Sequence, residues 1–193
     1  IVGNLGFGKR MLSNENTLMT GFNAFLDYDD NGNTRSSLGI EARSAVLDFG
    51  YNYYFGLGDG TDEKVLDGYD LNLSSQVPYM HWADVFVNAY EWEGEDRDNI
   101  KGRKYGSELL IHPTLSFEFA YDDKSKDGLE DEKYAKFIFV YPPRTGPTAQ
   151  DGFFNDTKWK KEKDMSSELL TKVKRNNKIM IEFKGKSTIS RTD

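Results

Sequence analysis

Alternation of apolar and polar residues, in about nine segments of roughly ten residues, constrains the fold of this chain more than any other feature. In residues 18–28, Phe22 and Leu26 occupy positions of one parity, whereas Asn23 and Asp27 occupy positions of the other. Successive side chains of a β-strand point to opposite faces of a sheet, so this segment predicts a strand with one apolar and one polar face. Its repetition suggests an antiparallel, all-β barrel in a lipid bilayer.

The side chains at the apolar positions of the alternating pattern are predicted to face lipid. The residues assigned to this side are Phe22, Leu38, Ile40, Phe49, Tyr51, Tyr53, Leu71, Phe117 and Phe119. The opposite parity carries charged side chains, such as Glu41 and Asp48, which a membrane barrel encloses around water or a plug. A soluble sandwich or a lipocalin-like barrel would instead bury the apolar side and expose the charges. The period of two leaves both orientations open.

The lengths of the connections favour the membrane barrel. The joins near residues 12–16, 44–47, 77–81 and 112–114 are short, and those near residues 29–35, 56–67, 93–102 and 122–133 are longer and rich in Asp, Gly, Asn, Lys and Glu. Short and long joins are therefore predicted to alternate throughout. Outer-membrane barrels combine short periplasmic turns with longer external loops, so we expect the long joins to face outward from the cell.

Aromatic residues near the predicted strand ends suit interfacial girdles. They are Tyr28, Tyr53, Phe55, Tyr69, Tyr79, Trp82, Trp92, Tyr121 and Tyr141. Aromatic residues are also common in the strands of soluble proteins, so this feature supports the membrane orientation without deciding it.

Composition agrees with a barrel and excludes other classes. Mean hydropathy is −0.69, which excludes a helical membrane protein but not a barrel, because half of the residues in a barrel strand are polar. The net charge of −7 argues against nucleic-acid binding, which needs a basic surface. The chain has no cysteines, as suits export through an oxidising periplasm. It begins at Ile1 without a leader, so we expect that a signal peptide has been removed.

The pattern changes near Tyr141. Residues 1–141 are predicted to form the barrel strands, and residues 142–193 a linker region. Three prolines between residues 142 and 147 end strand pairing at this boundary, because proline cannot donate to a ladder.

The linker region is predicted to contain a short helix and then an extended segment. Asp164 or Ser166 is the expected cap, and the helix is predicted to end near Lys174. The apolar residues at helical spacing are Leu169, Leu170 and Val173. Residues 178–183 predict the final extended segment.

The order of these features resembles a known family. A predicted helix leads into Arg175-Asn176-Asn177 and then into a strand ending in Glu182-Phe183-Lys184, which is similar to the segment that follows the barrel of intimin/invasin inverse autotransporters. Further stretches are similar in the same order: Asn4 to Arg10, Gly21 to Asp29, Leu38 to Glu41, Asn52 to Tyr54 and Asp67 to Leu71. The similarity covers nearly the whole chain.

The resemblance implies a twelve-stranded, up-and-down outer-membrane barrel whose following segment threads back through the lumen and delivers an adhesive passenger to the cell surface. About nine strands are visible, so roughly three amino-terminal strands are expected to be missing or replaced, because an open edge in lipid leaves unpaired amides. The implied location is the outer membrane of a Gram-negative bacterium. The implied partners are membrane lipid and lipopolysaccharide, the barrel assembly machinery, periplasmic chaperones and the passenger, with no nucleic acid and no cofactor.

Two sets of residues are expected to meet in the lumen. The walls are expected to carry Asp27, Glu41, Arg43, Asp48, Asp70, Asn72, Asp84, Asn88, Lys104, Glu108, Glu118 and Lys136. The linker is expected to place Leu169, Leu170, Val173, Arg175, Asn176, Asn177, Ile179, Ile181 and Phe183 inside. Buried charges need partners, so Lys172, Lys174, Arg175 and Lys178 are expected to meet the largely acidic lining.

Other functions receive less support from the residues. The only histidines, His81 and His112, are at predicted short connections and are interpreted as turn residues, so we predict neither an enzyme nor a metal site. Residues 27–33 resemble a calcium loop but lack the bidentate Glu, and a solvated hairpin loop is favoured. A diffusion porin with charged walls and a soluble ligand-binding barrel are the alternatives that the sequence leaves open.

Overall fold

The structure, a computed structural model, describes residues 1–95, 98–124, 130–141, 143–144, 146–160 and 163–184. Parts of the predicted loops 93–102 and 122–133, and of the linker region 142–193, lie outside these residues. The strands are β1 (Val2–Ser13), β2 (Leu18–Asp29), β3 (Thr34–Ser44), β4 (Leu47–Gly58), β5 (Glu63–Val65), β6 (Gly68–Val77), β7 (Met80–Trp92), β8 (Ile100–His112), β9 (Leu115–Lys124), β10 (Glu132–Phe139) and β11 (Ile181–Phe183). Two 3₁₀ helices span Ala149–Asp151 and Met165–Glu168.

Nine strands form one antiparallel sheet, in the order β1-β2-β3-β4-β6-β7-β8-β9-β10. This confirms the predicted all-β, up-and-down arrangement. Within the described part of the chain the two edge strands, β1 and β10, do not pair with each other, so the sheet is open. The short strands β5 and β11 pair in a separate two-stranded sheet.

The connections define two ends of the sheet. Residues 14–17, 45–46, 78–79 and 113–114 make up the short-turn end, and the described residues 30–33, 59–67, 93–95, 98–99 and 130–131 make up the long-loop end. The predicted strict alternation of lengths is wrong at one place. The connection 30–33 is no longer than the connection 14–17, because Thr34 and Arg35, which the sequence interpretation placed in a loop, belong to β3.

The two faces of the sheet differ in chemistry and burial. Along β3, Arg35, Glu41 and Arg43 are buried, whereas Leu38 and Ile40 are 58% and 55% exposed. We call the side of Glu41 the polar face and the side of Leu38 the apolar face. Soluble proteins usually bury the apolar side of such strands. Here part of the polar face is covered by the segment that follows β10.

That segment, residues 143–184, is called the tail. It turns back at the short-turn end, where the Val140 N–H donates to the Thr114 carbonyl at 3.0 Å and the Arg144 N–H donates to the Pro113 carbonyl at 2.8 Å. The tail then crosses the polar face. No helix in the described residues is long and apolar enough to cross a membrane.

The predicted helix that ends near Lys174 is wrong in length. The structure has only the 3₁₀ helix Met165–Glu168, with the Asp164 side chain accepting from the Ser166 N–H at 2.9 Å. Nη1 of Arg10 donates to the carbonyls of Glu168, Leu169 and Thr171, at 2.9, 2.9 and 2.7 Å. A helix of about ten residues is only marginally stable in isolation. The bonds from Arg10 satisfy the carbonyls of residues 168, 169 and 171, so these carbonyls do not need helical hydrogen bonds. Leu170 is consequently 98% exposed.

Candidate functional site

The candidate site is the contact between the tail and the polar face. At the short-turn end the tail binds backbone groups of two turns: the Lys158 carbonyl accepts from the Tyr79 N–H at 3.0 Å, and the Met165 N–H donates to the Asn16 carbonyl at 2.8 Å. Residues 172–184 then run from this end to the long-loop end, where Lys184 donates to the Asp62 carbonyl at 2.9 Å. The tail therefore spans the length of the strands.

A buried ion cluster lies on this path, nearer the long-loop end. Arg35 of β3 pairs with Asp27 of β2 at 2.7 Å, and Arg175 of the tail pairs with the same carboxylate. The Arg175 guanidinium also stacks over the Phe25 ring, 4.2 Å from its centroid. Buried charges are costly unless they are paired and hydrogen-bonded, so Asp27 holds both arginines in place.

A second set of bonds fixes the tail backbone beside this cluster. The Asn176 N–H donates to the Tyr54 hydroxyl at 2.8 Å and to Asp70 at 3.1 Å. Asn52 donates to the Lys174 carbonyl at 3.0 Å and to Asp70 at 2.8 Å. The bonds to the tail involve its main-chain groups, so they hold the tail without depending on its side chains.

Another charged cluster binds the tail nearer the short-turn end. Glu41 accepts from Arg10 at 2.7 Å and pairs with Arg43 at 2.9 Å. Arg43 in turn donates to the Thr171 hydroxyl at 3.1 Å and to the Lys172 carbonyl at 3.3 Å. The face thus presents guanidinium groups to the carbonyls of the tail as well as carboxylates to its cations.

Some of the cationic side chains of the tail form ion pairs with acidic side chains of the sheet. Lys174 pairs with Asp48 at 3.0 Å, and Arg144 pairs with Glu108 at 2.6 Å. Lys172 and Lys178, also expected there, are exposed and form no ion pair among the described residues; their carbonyls bind Arg43 and Arg35 instead. Lys174 and Arg175 are therefore the two of the four expected cations that pair with acidic side chains of the sheet.

Most of the remaining residues predicted for the lumen wall pair with other side chains of the polar face. Asn72 bonds Asp70 and Asn88, Lys104 pairs with Asp122 at 3.7 Å, and Lys136 pairs with Glu118 at 3.0 Å. Asp84 is exposed, and its side chain makes no hydrogen bond or ion pair within the described residues. Of these residues, only Asp70 forms a hydrogen bond with the described part of the tail.

The residues predicted to face lipid are on the apolar face. Phe22, Phe49, Leu71 and Phe119 are between 36% and 50% exposed, and Leu38 and Ile40 are more exposed still. Tyr51, Tyr53 and Phe117 are half-buried against aromatic neighbours on that face, Tyr69, Phe55 and Phe137. No described part of the chain covers this face.

A hydrophobic cluster is buried on the polar face near the long-loop end. Tyr54, Leu66, Trp92 and Ile100 are buried together, and Met180 of the tail packs against them.

The prediction that Trp92 and Trp82 are girdle residues is wrong. Both have the parity of Asn88 on β7 and point to the polar face, where Trp82 donates to the Phe153 carbonyl at 3.0 Å.

The comparison with known proteins decides the family. A sequence profile described as inverse autotransporter, beta-domain, matches residues 1–177. The chain belongs to this family. No curated protein matches the chain. A solved chain from work titled "Unveiling the Mechanism Behind the in-meso Crystallization of Membrane Proteins" shares the fold, with a TM-score of 0.75 and 19% identity over 94% of this chain and 80% of that chain.

Membership gives this inverse autotransporter β-domain a general role and location. The family is one of translocator domains of the bacterial outer membrane, each associated with a passenger domain, and it is not a family of enzymes. The resemblance stated from the sequence is confirmed.

The long-loop end of the inverse autotransporter β-domain carries a second electrostatic cluster, outside the nine-stranded sheet. Asp59 lies 3.6 Å from both Lys64 and Lys184 and accepts from the Val65 N–H at 3.0 Å. Partial burial acts to raise the pKa of Asp59, but the Val65 N–H and the two ammonium groups outweigh it and lower the pKa. Hydrogen bonding to Glu95, at 3.2 Å, raises the pKa of Lys64.

The histidines and the acidic loop are engaged in local bonds. Nε2 of His81 lies 2.8 Å from the Thr157 carbonyl, and Nδ1 of His112 lies 2.8 Å from the Thr114 hydroxyl. Asp29, the last residue of β2, accepts from the backbone N–H groups of Asn31 and Asn33 in the loop 30–33. The described residues contain no group of three or more His, Cys, Asp or Glu side chains placed to hold a metal ion.

Sequence reasoning missed Arg10, Arg35 and Tyr54 as tail-binding residues. Arg35 was placed in a loop, although it has the same parity as Glu41 and Arg43 in β3. Arg10 likewise has the parity of Asn4 in β1. If the alternating pattern of β1 and β3 is continued to the ends of these strands, it assigns both arginines to the polar face.

Proposed function

We propose that this inverse autotransporter β-domain anchors its protein in the outer membrane and exports a C-terminal passenger to the cell surface, with residues 172–184 as the exported segment that stays in the lumen. The supporting observation is the path of the tail. It begins at the short-turn end, where β10 finishes, and reaches the long-loop end beside Asp62. Outer-membrane barrels turn their short connections to the periplasm and their long ones outward, so this path leads to the cell surface.

The chemistry of the two faces supports the same proposal. The apolar face suits lipid, which needs no hydrogen bonds from the protein. The polar face binds the tail mainly through its main chain, at Lys174, Asn176 and Lys178 among others. Main-chain recognition tolerates many side chains, as a conduit for a passing polypeptide requires.

An epitope tag placed after Asp193 in the native protein tests the proposal. We expect an antibody to label the tag on intact cells, and replacement of Arg175, Asn176 and Asn177 by alanine to reduce labelling while the sheet still folds and inserts. Folding is checked by the shift of unheated protein on a denaturing gel. A tag that is labelled only after the outer membrane is permeabilised contradicts export.

Conductance separates this function from that of a diffusion porin. We expect the intact protein to be nearly closed in a planar bilayer, because the tail covers the polar face. Deletion of residues 160–193 is expected to open a conducting pathway. A steady open channel in the intact protein would favour the porin instead.

A further inference from the structure

Strand β5 has one edge blocked by its own loop and one edge occupied by the tail. The Val65 N–H donates to the Asp59 carboxylate at 3.0 Å, away from β11. On its other edge, the Leu66 N–H donates to the Met180 carbonyl and the Lys184 N–H donates to the Asp62 carbonyl, both at 2.9 Å. The loop therefore offers a single pairing edge, and the tail takes it.

The register follows from these two bonds. Ile181 pairs with Val65, Glu182 with Lys64 and Phe183 with Glu63. Antiparallel ladders alternate hydrogen-bonded and non-hydrogen-bonded pairs, so Glu182 and Lys64 exchange main-chain bonds, whereas Ile181 and Val65 form a close non-hydrogen-bonded pair. The side chains of Ile181 and Val65 are both buried.

Contacts outside the tail hold β5 in position. Glu63 accepts from Asn31 at 3.3 Å and from Asn33, both in the preceding long-loop connection. Lys64 pairs with Glu95 in the next one. The backbone of β5 also lies close over β4, since a Cβ on Gly56 would come within 2.8 Å of the Val65 carbonyl. β5 thus has supports that do not depend on β11.

We infer that β5 is a docking strand for an extended polypeptide that emerges at the long-loop end, and that Met180 to Lys184 is its resting occupant. Recognition is by β-strand addition: main-chain bonds provide affinity, and an apolar side chain opposite Val65 sets the register. Such a strand would hold the exported chain against sliding back. This inference rests on the proposed direction of export.

Cysteine cross-linking tests the docking strand, because the native chain has no cysteine. Val65→Cys with Ile181→Cys is expected to form a disulfide on intact cells under mild oxidation, since cross-strand partners in non-hydrogen-bonded pairs lie within disulfide range. Val65→Cys with Glu182→Cys is the matched control, because residue 182 points to the opposite face. Equal yields from both pairs would overturn the inference.

Proline substitution tests whether the main chain carries the recognition. In the Val65→Cys, Ile181→Cys background, Glu182→Pro removes the N–H that faces β5 and is expected to lower the disulfide yield at least tenfold. Glu182→Ala keeps that N–H and is expected to retain the yield. Equal yields for the two variants would overturn the inference, provided that both proteins show the gel shift of a folded sheet.

The tag after Asp193 separates this inference from the proposed function. A displayed tag without the disulfide refutes docking and leaves export standing. A disulfide without a displayed tag refutes export, while the pairing of β5 with β11 stands.

Discussion

Arg175 of the tail and Asp27 of β2 form an ion pair in which the two side chains are only 1% and 0% exposed. Asp27 also pairs with Arg35, which is fully buried. One carboxylate therefore serves two guanidinium groups, one from the sheet and one from the tail. If the tail leaves, Asp27 and Arg35 keep each other, so the sheet is not left with an unpaired charge.

Substitutions in this cluster should have unequal effects. Arg175→Met is expected to lower the free energy of unfolding by about 3 kcal/mol, the lower end for breaking a buried pair, because Asp27 keeps Arg35. Asp27→Asn is expected to cost more, since both arginines lose their counter-charge. Urea unfolding in detergent micelles measures both. Lys174→Met, which breaks the half-exposed pair with Asp48, is the control and should cost less than about 1 kcal/mol. Equal losses for Asp27→Asn and Lys174→Met would contradict the buried pairing.

Neighbouring residues on opposite faces should respond differently to a change of charge. Phe49→Arg places a cation on the apolar face and is expected to cost about 2 to 4 kcal/mol, as a charge facing mid-bilayer lipid does. Asp48→Asn, one residue away on the polar face, loses only an ion pair that is partly exposed. Insertion into lipid vesicles, followed by protection from protease, measures the contrast. Unchanged insertion of Phe49→Arg would refute lipid contact at that face.

Acid should loosen the tail at the long-loop end only at low pH. Because the pKa of Asp59 is lowered from its ordinary 3.8, its pairing with Lys64 and Lys184 stabilises the folded protein above pH 3.8 and is lost as the pH falls through the lowered value. We expect hydrogen-exchange protection of Ile181 to Phe183, corrected for intrinsic rates, to stay constant from neutral pH down to about 4 and to fall below it. Asp59→Asn should weaken that protection already at neutral pH. A decline in the native protein between pH 5 and 6 would point to another titrating group.

The parity of residues predicted much of the site, because a period of two assigns every strand residue to one of two faces. It correctly grouped Asp27, Glu41 and Asp70 on one face and Leu38 and Ile40 on the other. The return of the chain after β10 is predicted by the resemblance to inverse autotransporters, not by the parity of residues. The errors of the sequence interpretation are at strand ends. It assigns Thr34 and Arg35, which belong to β3, to a loop, and it assigns Trp92, which is buried on the polar face, to the lipid interface.

The helix and the partners of the tail could not be predicted in the same way. Local propensity and spacing favoured a helix up to Lys174, but Arg10, more than 150 residues away in sequence, binds the carbonyls that a helix would have used. Such bonds between distant residues leave no trace in local periodicity. The pairing of β11 with β5 is of the same kind, since each strand has only three residues.

By itself, the sequence determined that the chain forms an up-and-down antiparallel sheet with one apolar and one charged face, because alternation is a local property of each strand. Only the tertiary structure decided which side the tail covers, that Asp27 serves two arginines, and that β5 receives β11. Those features depend on which distant groups come within bonding distance, and that is set when the strands align and the tail crosses them.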